Sequence, residues 1–174
     1  MPIAEAALTG VERTFDPDEF IVSKTDLKGR ITYANKVFLH IADYTEADVL
    51  GQPHSIIRHP HMPRCVFQLL WERIQAGREI FAYVVNAAKN GDHYWVLAHV
   101  TPSFDADNKV TGFHSNRRQP SPKQIATIKP VYDALLQEER RFEDRRAGLT
   151  ASAALLKKTL ETKGMEYDAF VLSI

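Results

Sequence analysis

The sequence predicts an α+β domain: a five-stranded antiparallel sheet with helices on one face, a short N-terminal cap and a C-terminal helical extension. Three observations predict it. Runs rich in β-branched and aromatic residues occur as a pair near the N-terminus and as three in the second half. Segments with helical spacing of apolar residues lie between these two groups. A chain of 174 residues, 44% of them hydrophobic, is long enough to bury one core of this kind.

The N-terminal part is predicted to be a cap followed by a hairpin. Ile3–Val11 contains helix-forming residues but is soon interrupted, so we expect only a short cap within residues 1–19. From Phe20 onward, two strand-like runs flank Asp26–Gly29, where glycine supplies the positive φ of a tight turn. This pattern predicts the first two strands.

Short helices and an irregular loop are predicted next. Thr45 and Asp48 form an N-cap pair ahead of a short helix. The stretch His54–Pro63 is rich in histidine and proline, which excludes long regular structure. Pro63 then fits the first turn of a longer helix that closes at Gly77, and the apolar spacing makes this helix a core element.

The second half is predicted to add three strands. Asn90-Gly91, between runs rich in Val, Tyr and Trp, predicts a hairpin with a type I′ turn. A further strand is expected over Val110 to Arg117. Repeated X-Pro units at 119–122 stop the sheet, so we place the domain at residues 20–118.

Residues 119–174 are predicted to form the helical extension. Pro130 is expected to kink its first helix near the start. The run EERRFEDRRAG, residues 138–148, is interpreted as a solvated face. Thr150 is predicted to cap a last helix that ends at Gly164, and the apolar C-terminal segment is expected to dock elsewhere on the protein.

Composition excludes several functional classes. Lys+Arg 22 against Asp+Glu 22 gives a formal net charge of +0, so we expect no nucleic-acid partner. The single cysteine, Cys65, excludes an internal disulfide and a zinc site built from several cysteines. No apolar run reaches the roughly 18 residues of a membrane span, and the first ten residues lack a signal-peptide pattern. We therefore expect a cytoplasmic protein with no membrane span in this chain.

Three segments carry a resemblance to a known family: KTDLKGRITYAN, YTEADVLGQPHSIIRHPHMP and NAAKNGDHYWV. In this order they strongly resemble the PAS domain of bacterial aerotaxis receptors and related flavin-binding redox sensors, over about Phe20 to Arg118. The resemblance implies a PAS fold and a non-covalently held FAD between sheet and helices, whose redox state reports electron transport or oxygen. It also implies a sensor and not an enzyme, and no catalytic constellation is recognisable in the sequence.

The resemblance implies six cofactor-binding positions, and one position departs from the family. His61 stands where family members commonly have an aspartate, so a carboxylate implicated in holding the cofactor is missing. Among the six, the Arg-His pair is the one needed for flavin retention in the family. The implied cofactor-binding residues are Asn35, His54, Arg58, His59, Trp71 and Asn86.

Two of these side chains suit a flavin by their chemistry. The Asn86 amide offers donors and an acceptor together, which matches the polar edge of the ring. The planar fork of Arg58 suits pyrophosphate or the negative charge of reduced flavin. By residue type alone, Asn86 fits a surface strand position as well, and Arg58 fits a surface ion pair.

Two other functions stay open for the chain: a haem-based gas sensor with one axial histidine, and a cofactor-free interaction module. A metal site is disfavoured because the loop histidines lack helical ligand spacing. A light-sensing cysteine is also disfavoured, because Gly51-Gln52-Pro53-His54 stands where such domains have a G-R-N-C-like segment, and Cys65 is instead interpreted as a buried small hydrophobe. The amphipathic tail favours a homodimer through the PAS domain and flanking helices, acting on a downstream signalling protein or domain. The histidines considered for haem are His54, His59, His61, His99 and His114.

Overall fold

The computed structural model describes residue 4 and residues 7–174. Within them, five strands form one antiparallel sheet in the order β2-β1-β5-β4-β3. The predicted α+β class and the five-stranded antiparallel sheet are therefore confirmed. The strands are β1 (Ile21–Thr25), β2 (Ile31–Ala34), β3 (Ile80–Ala87), β4 (His93–Phe104) and β5 (Val110–Arg118).

The helices lie in two groups, one between β2 and β3 and one after β5. A short 3-10 helix, His54–Ile57, interrupts the first group in the loop that was predicted to be irregular. The predicted N-cap pair is confirmed, because Thr45 and Asp48 form a reciprocal capping box. The helices are α1 (Lys36–Ala42), α2 (Glu46–Val49), α3 (Arg64–Gln75), α4 (Pro122–Arg140), α5 (Arg145–Lys163) and α6 (Tyr167–Leu172).

The turn between β3 and β4 differs from the prediction. A type I′ turn needs positive φ at both central residues. Only Gly91 has a positive φ, 96°, and Asn90 does not. The Asn90 side chain instead accepts from the backbone N–H of Asp92, and Ala88 N–H donates to the Asp92 carbonyl, so the loop is longer than two residues. The hairpin is confirmed and the type I′ assignment is wrong.

The C-terminal helices pack on the edge strand β3 and on α3. The Tyr132 hydroxyl of α4 donates to the Tyr83 carbonyl of β3 at 2.6 Å, and its ring stacks on Trp95 at 6.3 Å between centroids. Strand alternation directs Trp95 to the face opposite Tyr94 and Asn86. Helix α4 therefore covers the far face of the sheet at this edge, whereas α5 of the same extension packs on α3, which lies on the near face with α1 and α2. The apolar C-terminus docks as predicted, since Tyr167, Phe170 and Val171 are buried.

The start of α5 was predicted at the wrong residue. The N-cap is Asp144, whose carboxylate accepts from Ala147 N–H at 2.6 Å. The Thr150 hydroxyl lies inside the helix and donates to the Arg146 carbonyl. Asp144 lies six residues before Thr150, and the aspartate, the stronger capping residue, begins the helix. The predicted end is confirmed, because Gly164 closes α5 with φ 64°.

The cap predicted within residues 1–19 falls partly outside the described residues. In its described part, Glu12 pairs with His93 as an isolated parallel bridge. None of the helices described combines the length and the continuous apolar character that crossing a bilayer requires. The domain boundaries at 20–118 and 119–174 stay predictions.

Candidate functional site

A cavity of about 560 Å³ lies between the sheet, the loop after α2 and helices α3 and α5. Helix α3 supplies aromatic and apolar walls, and α5 closes one side with Arg145 and Leu149. A mostly apolar cavity with a few placed polar groups is the usual form of a small-molecule site. The strand residues that line it are Ser23, Thr25, Val84, Asn86, Ala98, Val100, Phe113, Ser115 and Arg117.

A buried arginine faces the cavity from β5. The Nη2 atom of Arg117 donates to the Ser23 hydroxyl at 2.7 Å and lies 2.7 Å from Nε2 of His54. Because a guanidinium carries only donors, Nε2 of His54 accepts and is unprotonated. Burial, and then the charge of Arg117, lowers the pKa of His54 to about 3. The imidazole of His54 is therefore neutral at physiological pH.

Arg117 and Ser115 leave polar atoms unsatisfied beside the cavity. Burial lowers the pKa of Arg117 to about 10, so the side chain stays charged although it is only 3% exposed. Its Nη1 atom and the Ser115 hydroxyl are buried without a hydrogen-bond partner in the described part of the chain. Buried polar atoms are normally paired, so these two indicate a ligand with electron-rich atoms. They are two polar atoms at the cavity that a ligand could pair.

Asn86 and Arg58 meet where the histidine-rich loop crosses the edge strand. The backbones of the two residues form an isolated antiparallel bridge, which fixes the loop against β3. The Asn86 side chain is 4% exposed, lines the cavity and makes no hydrogen bond to another described residue. The Arg58 guanidinium lies 3.9 Å from the centroid of Phe67 and also lines the cavity. Both predicted residues are thus at the site.

Trp71 forms part of the wall and is packed against a turn. Its ring meets Phe113 edge-on at 5.6 Å between centroids. A Cβ added at Gly29 would lie 2.8 Å from the ring of Trp71, and Gly29 has φ 75°. The glycine of the first hairpin therefore both forms the turn and leaves room for the indole beside the cavity.

Asn35 lies outside the cavity lining and caps α1. Its Oδ1 accepts from the N–H groups of Val22 and Phe38, at 3.1 and 2.9 Å. Its Nδ2 donates to the Phe20 carbonyl at 2.7 Å. These bonds join β1 to the start of α1, so Asn35 shapes the fold around the site. A direct contact with cofactor stays a prediction.

His59 also lies outside the cavity lining, although it is buried. Its Nδ1 accepts from the backbone N–H of His61 at 3.1 Å, and its ring lies 5.0 Å from that of His61 and 5.8 Å from that of His93. His61, the residue that departs from the family, is exposed and does not line the cavity. In the described part of the chain no three His, Cys, Asp or Glu side chains are grouped to hold a metal.

The run predicted to be a solvated face contains a buried carboxylate, which is a correction. Glu139 is 6% exposed and accepts from the backbone N–H groups of Arg64 and Cys65 at the start of α3, at 2.8 and 3.2 Å. It also accepts from Nε of Arg64 at 2.9 Å and from the Ser152 hydroxyl of α5 at 3.0 Å. One side chain of α4 therefore joins α3 and α5 next to the cavity.

Sequence reasoning missed Arg117, Ser115, Arg64 and Arg145. The first two carried a usable signal, because period-two alternation from Phe113 places both on one face of β5. A charged residue at an inward position of a buried strand is unusual and points to a site. Arg145 carried no local signal, since it sits in a charged run that is ordinary for a surface helix.

Comparisons with known proteins agree with this fold and cavity. The family described as "PAS fold" matches residues 31–117. The chain is 39% identical over 118 residues to the aerotaxis receptor of Escherichia coli (strain K12), covering 68% of this chain and 23% of that protein. A PAS domain from Colwellia psychrerythraea has a TM-score of 0.54 at 18% identity, covering 58% of this chain and 86% of that one. A light-oxygen-voltage domain studied with a flavin analogue has a TM-score of 0.53 at 20% identity, and the match covers 70% of this chain and 86% of that one.

The sheet order, the cavity between sheet and helices and the family match define a domain of the PAS fold. The chain belongs to the PAS-fold family. Within it, the chain is similar to part of an aerotaxis receptor, of which it spans about a quarter of the length.

Proposed function

We propose that this domain is a non-catalytic signalling sensor that binds FAD non-covalently in the cavity and reports cellular redox state or oxygen through its flanking helices. One observation carries the proposal: the unsatisfied donors of Arg117 and Ser115 lie in the same cavity as the unpaired amide of Asn86. The similarity to an aerotaxis receptor and the fold shared with a domain whose description names a flavin analogue both support it.

The residues present fit a flavin ring. Such a ring is apolar on its faces and polar along one edge, so its site needs apolar walls and a few donors and acceptors. Trp71, Phe113 and Val84 provide walls. Asn86 offers both donors and an acceptor to the polar edge, and Arg117 offers a charged donor.

Flavin, when bound, supplies one-electron and two-electron redox chemistry at its ring. The structural response to a change in the charge of the ring comes from the residues around the cavity. Arg117 is a buried cation without a carboxylate partner among the described residues, so added negative charge in the cavity attracts its guanidinium. Any movement of that guanidinium removes the donor to Nε2 of His54 and to Ser23. A change of charge in the cavity is thereby converted into a change of hydrogen bonding between β1, β5 and the loop.

The geometry favours flavin over haem. A haem needs an imidazole nitrogen whose lone pair points into the cavity. Of the five histidines considered, His54 lines the cavity and the others do not. Nε2 of His54 already accepts from Arg117 at 2.7 Å, so axial ligation through that atom would break this bond.

The proposed oligomeric state and signalling partner of the sensor rest on the resemblance to aerotaxis receptors. We propose a cytoplasmic homodimer through the PAS domain and flanking helices that acts on a downstream signalling protein or domain. The docking of α4 to α6 on α3 and β3 supports this, because it connects the cavity wall to the extension. Light scattering of the purified chain, with and without flavin, measures the dimer, and a monomer in both states would refute it.

An absorption spectrum of freshly purified protein, before and after dithionite, tests the cofactor. We expect flavin bands that bleach reversibly, and chromatography of the released cofactor should identify FAD. A Soret band would replace FAD with haem. A featureless spectrum after addition of excess FAD would leave the cofactor-free interaction module.

Two asparagines in strands provide a test variant and a matched control for flavin binding in the cavity. Asn86→Ala removes an amide that faces the cavity, whereas Asn116→Ala removes one from a position of β5 that does not line the cavity. Loss of one or two hydrogen bonds should weaken FAD binding by about tenfold in the first variant, and the second should bind like the parent. Equal affinity in both variants would exclude Asn86 from the site.

A further inference from the structure

One end of the cavity is lined by cationic side chains from three parts of the fold. Arg58 comes from the histidine-rich loop, Arg64 from the start of α3 and Arg145 from the start of α5. Lys28 of the first hairpin turn also lines the cavity. None of the described lining residues is an aspartate or a glutamate. The cavity therefore has an uncompensated positive charge.

One carboxylate, that of Glu139, neutralises only part of this cluster. Glu139 pairs with Arg64 through Nε at 2.9 Å, and Nη1 of Arg64 donates to the Arg145 carbonyl at 2.9 Å. The Arg145 guanidinium makes no hydrogen bond or ion pair to another described residue, and that of Arg58 stacks on Phe67. Burial lowers the pKa of Arg58, and the charges of Arg64 and Arg145 lower it further against the opposing effect of Glu139. The guanidinium groups thus repel one another.

We propose that Arg145 of α5, together with Arg64 and Arg58, binds the phosphate oxygens of the nucleotide whose ring occupies the cavity. A planar guanidinium fork matches phosphate in geometry as well as in charge, and several of them around one anion relieve their mutual repulsion. The inference rests on the proposed function for the ring itself. It adds a contact from a helix that begins beyond residue 117, where the family match ends.

A structural consequence follows for the extension. Leu149 lines the cavity one turn after Arg145, so a bound nucleotide contacts α5 directly. Binding of the phosphate then stabilises the docked position of α5 in addition to the contacts made through Glu139. A flavin without phosphate fills the ring site and leaves α5 without this contact.

The chain contains a matched control beside the proposed ligand. Arg145 and Arg146 are neighbours in the first turn of α5, both are exposed and both carry one charge, but only Arg145 lines the cavity. We would titrate cofactor-free protein with riboflavin, FMN and FAD, using the parent chain, Arg145→Gln and Arg146→Gln. Urea unfolding of all three proteins should give the same midpoint, because both side chains are exposed.

We expect Arg145→Gln to weaken FAD and FMN binding by about tenfold while riboflavin affinity is unchanged. Arg146→Gln should match the parent with every flavin. A larger loss with FAD than with FMN would assign the diphosphate, and an equal loss would assign a single phosphate. Equal affinities in the two variants would overturn the inference and leave the proposed function intact. If the parent binds none of the three flavins, the proposed function fails with it.

Amide hydrogen exchange provides a second readout. FAD should slow exchange across Arg145–Lys163 of the parent chain more than riboflavin does. Arg145→Gln should remove that difference, and Arg146→Gln should keep it. The same protection by riboflavin and FAD in the parent would overturn the inference, because α5 would then respond to the ring alone.

Discussion

Replacing Glu139 with alanine should destabilise the protein strongly. Its carboxylate accepts four hydrogen bonds: two from backbone N–H groups at the start of α3, one from Nε of Arg64 and one from the Ser152 hydroxyl. The side chain is 6% exposed, so water cannot replace it freely. The substitution leaves a partly buried guanidinium and several donors without partners.

The magnitude follows from these contacts. An unsatisfied buried donor costs about 1–3 kcal/mol, and breaking a buried ion pair costs about 3–5 kcal/mol. The Arg64 side chain is 25% exposed, which places the expected loss at the lower end, about 3 kcal/mol in the free energy of unfolding. For a chain of this length that corresponds to a fall in Tm of about 10 °C.

Urea unfolding followed by circular dichroism, with the flavin content of all samples matched, measures the loss. Glu138→Ala is the control, because the adjacent Glu138 pairs with an Arg141 side chain that is 74% exposed. That surface pair is worth at most about 1 kcal/mol. Equal losses in the two variants would refute the reasoning that Glu139 joins the helices.

Three further predictions concern other contacts of the site. Gly148→Ala should lower the free energy of unfolding in urea by about 1–3 kcal/mol, because its Cβ would lie 2.4 Å from a carbonyl of α4. A glycine-to-alanine change inside a helix normally stabilises a protein, so a stabilised variant would contradict this prediction. Gly29→Ala should lower the free energy of unfolding by about 1–2 kcal/mol in the same assay and weaken FAD binding by displacing Trp71. Unchanged FAD affinity would show that the Trp71 indole does not contact the flavin. The free energy of unfolding should fall as pH falls from about 6.5 toward 3, by up to about 1.4 kcal/mol per pH unit, because the folded pKa of His54 is below its unfolded value. The variant His54→Gln should flatten this dependence on pH. An identical slope in the variant would show that His54 does not titrate near Arg117 as described.

Local sequence patterns were sufficient for most of the secondary structure. The positive φ that the first hairpin turn needs falls on Gly29, and the cap at Thr45 depends on a partner three residues away. Such features are decided within one turn of chain, so a sequence displays them directly. At the start of α5 the local pattern was misleading, because Thr150 was predicted as the cap and Asp144 caps the helix.

The resemblance predicted residues of the cavity wall more closely than the chemistry of single residues did. His54, Arg58, Trp71 and Asn86 all line the cavity. Asn35 belongs to the same sequence pattern, yet its amide is used to join β1 to α1. A family motif contains residues that build the site as well as residues that touch its ligand, and the sequence does not separate the two.

The sequence by itself determined an α+β domain and its strand and helix order, because these depend on periodicity and short-range spacing. The resemblance to the PAS family indicated the neighbourhood of the cavity. Only the tertiary structure decided which charges act together. Glu139 and Arg145 lie in one charged run, but one is buried against α3, 75 residues away along the chain from Arg64, and the other reaches the cavity. Arg117 likewise becomes a buried cation, hydrogen-bonded to Ser23, only when β5 lies beside β1. Burial and long-range contact set the energy of a charge, and neither is encoded by the neighbouring residues in sequence.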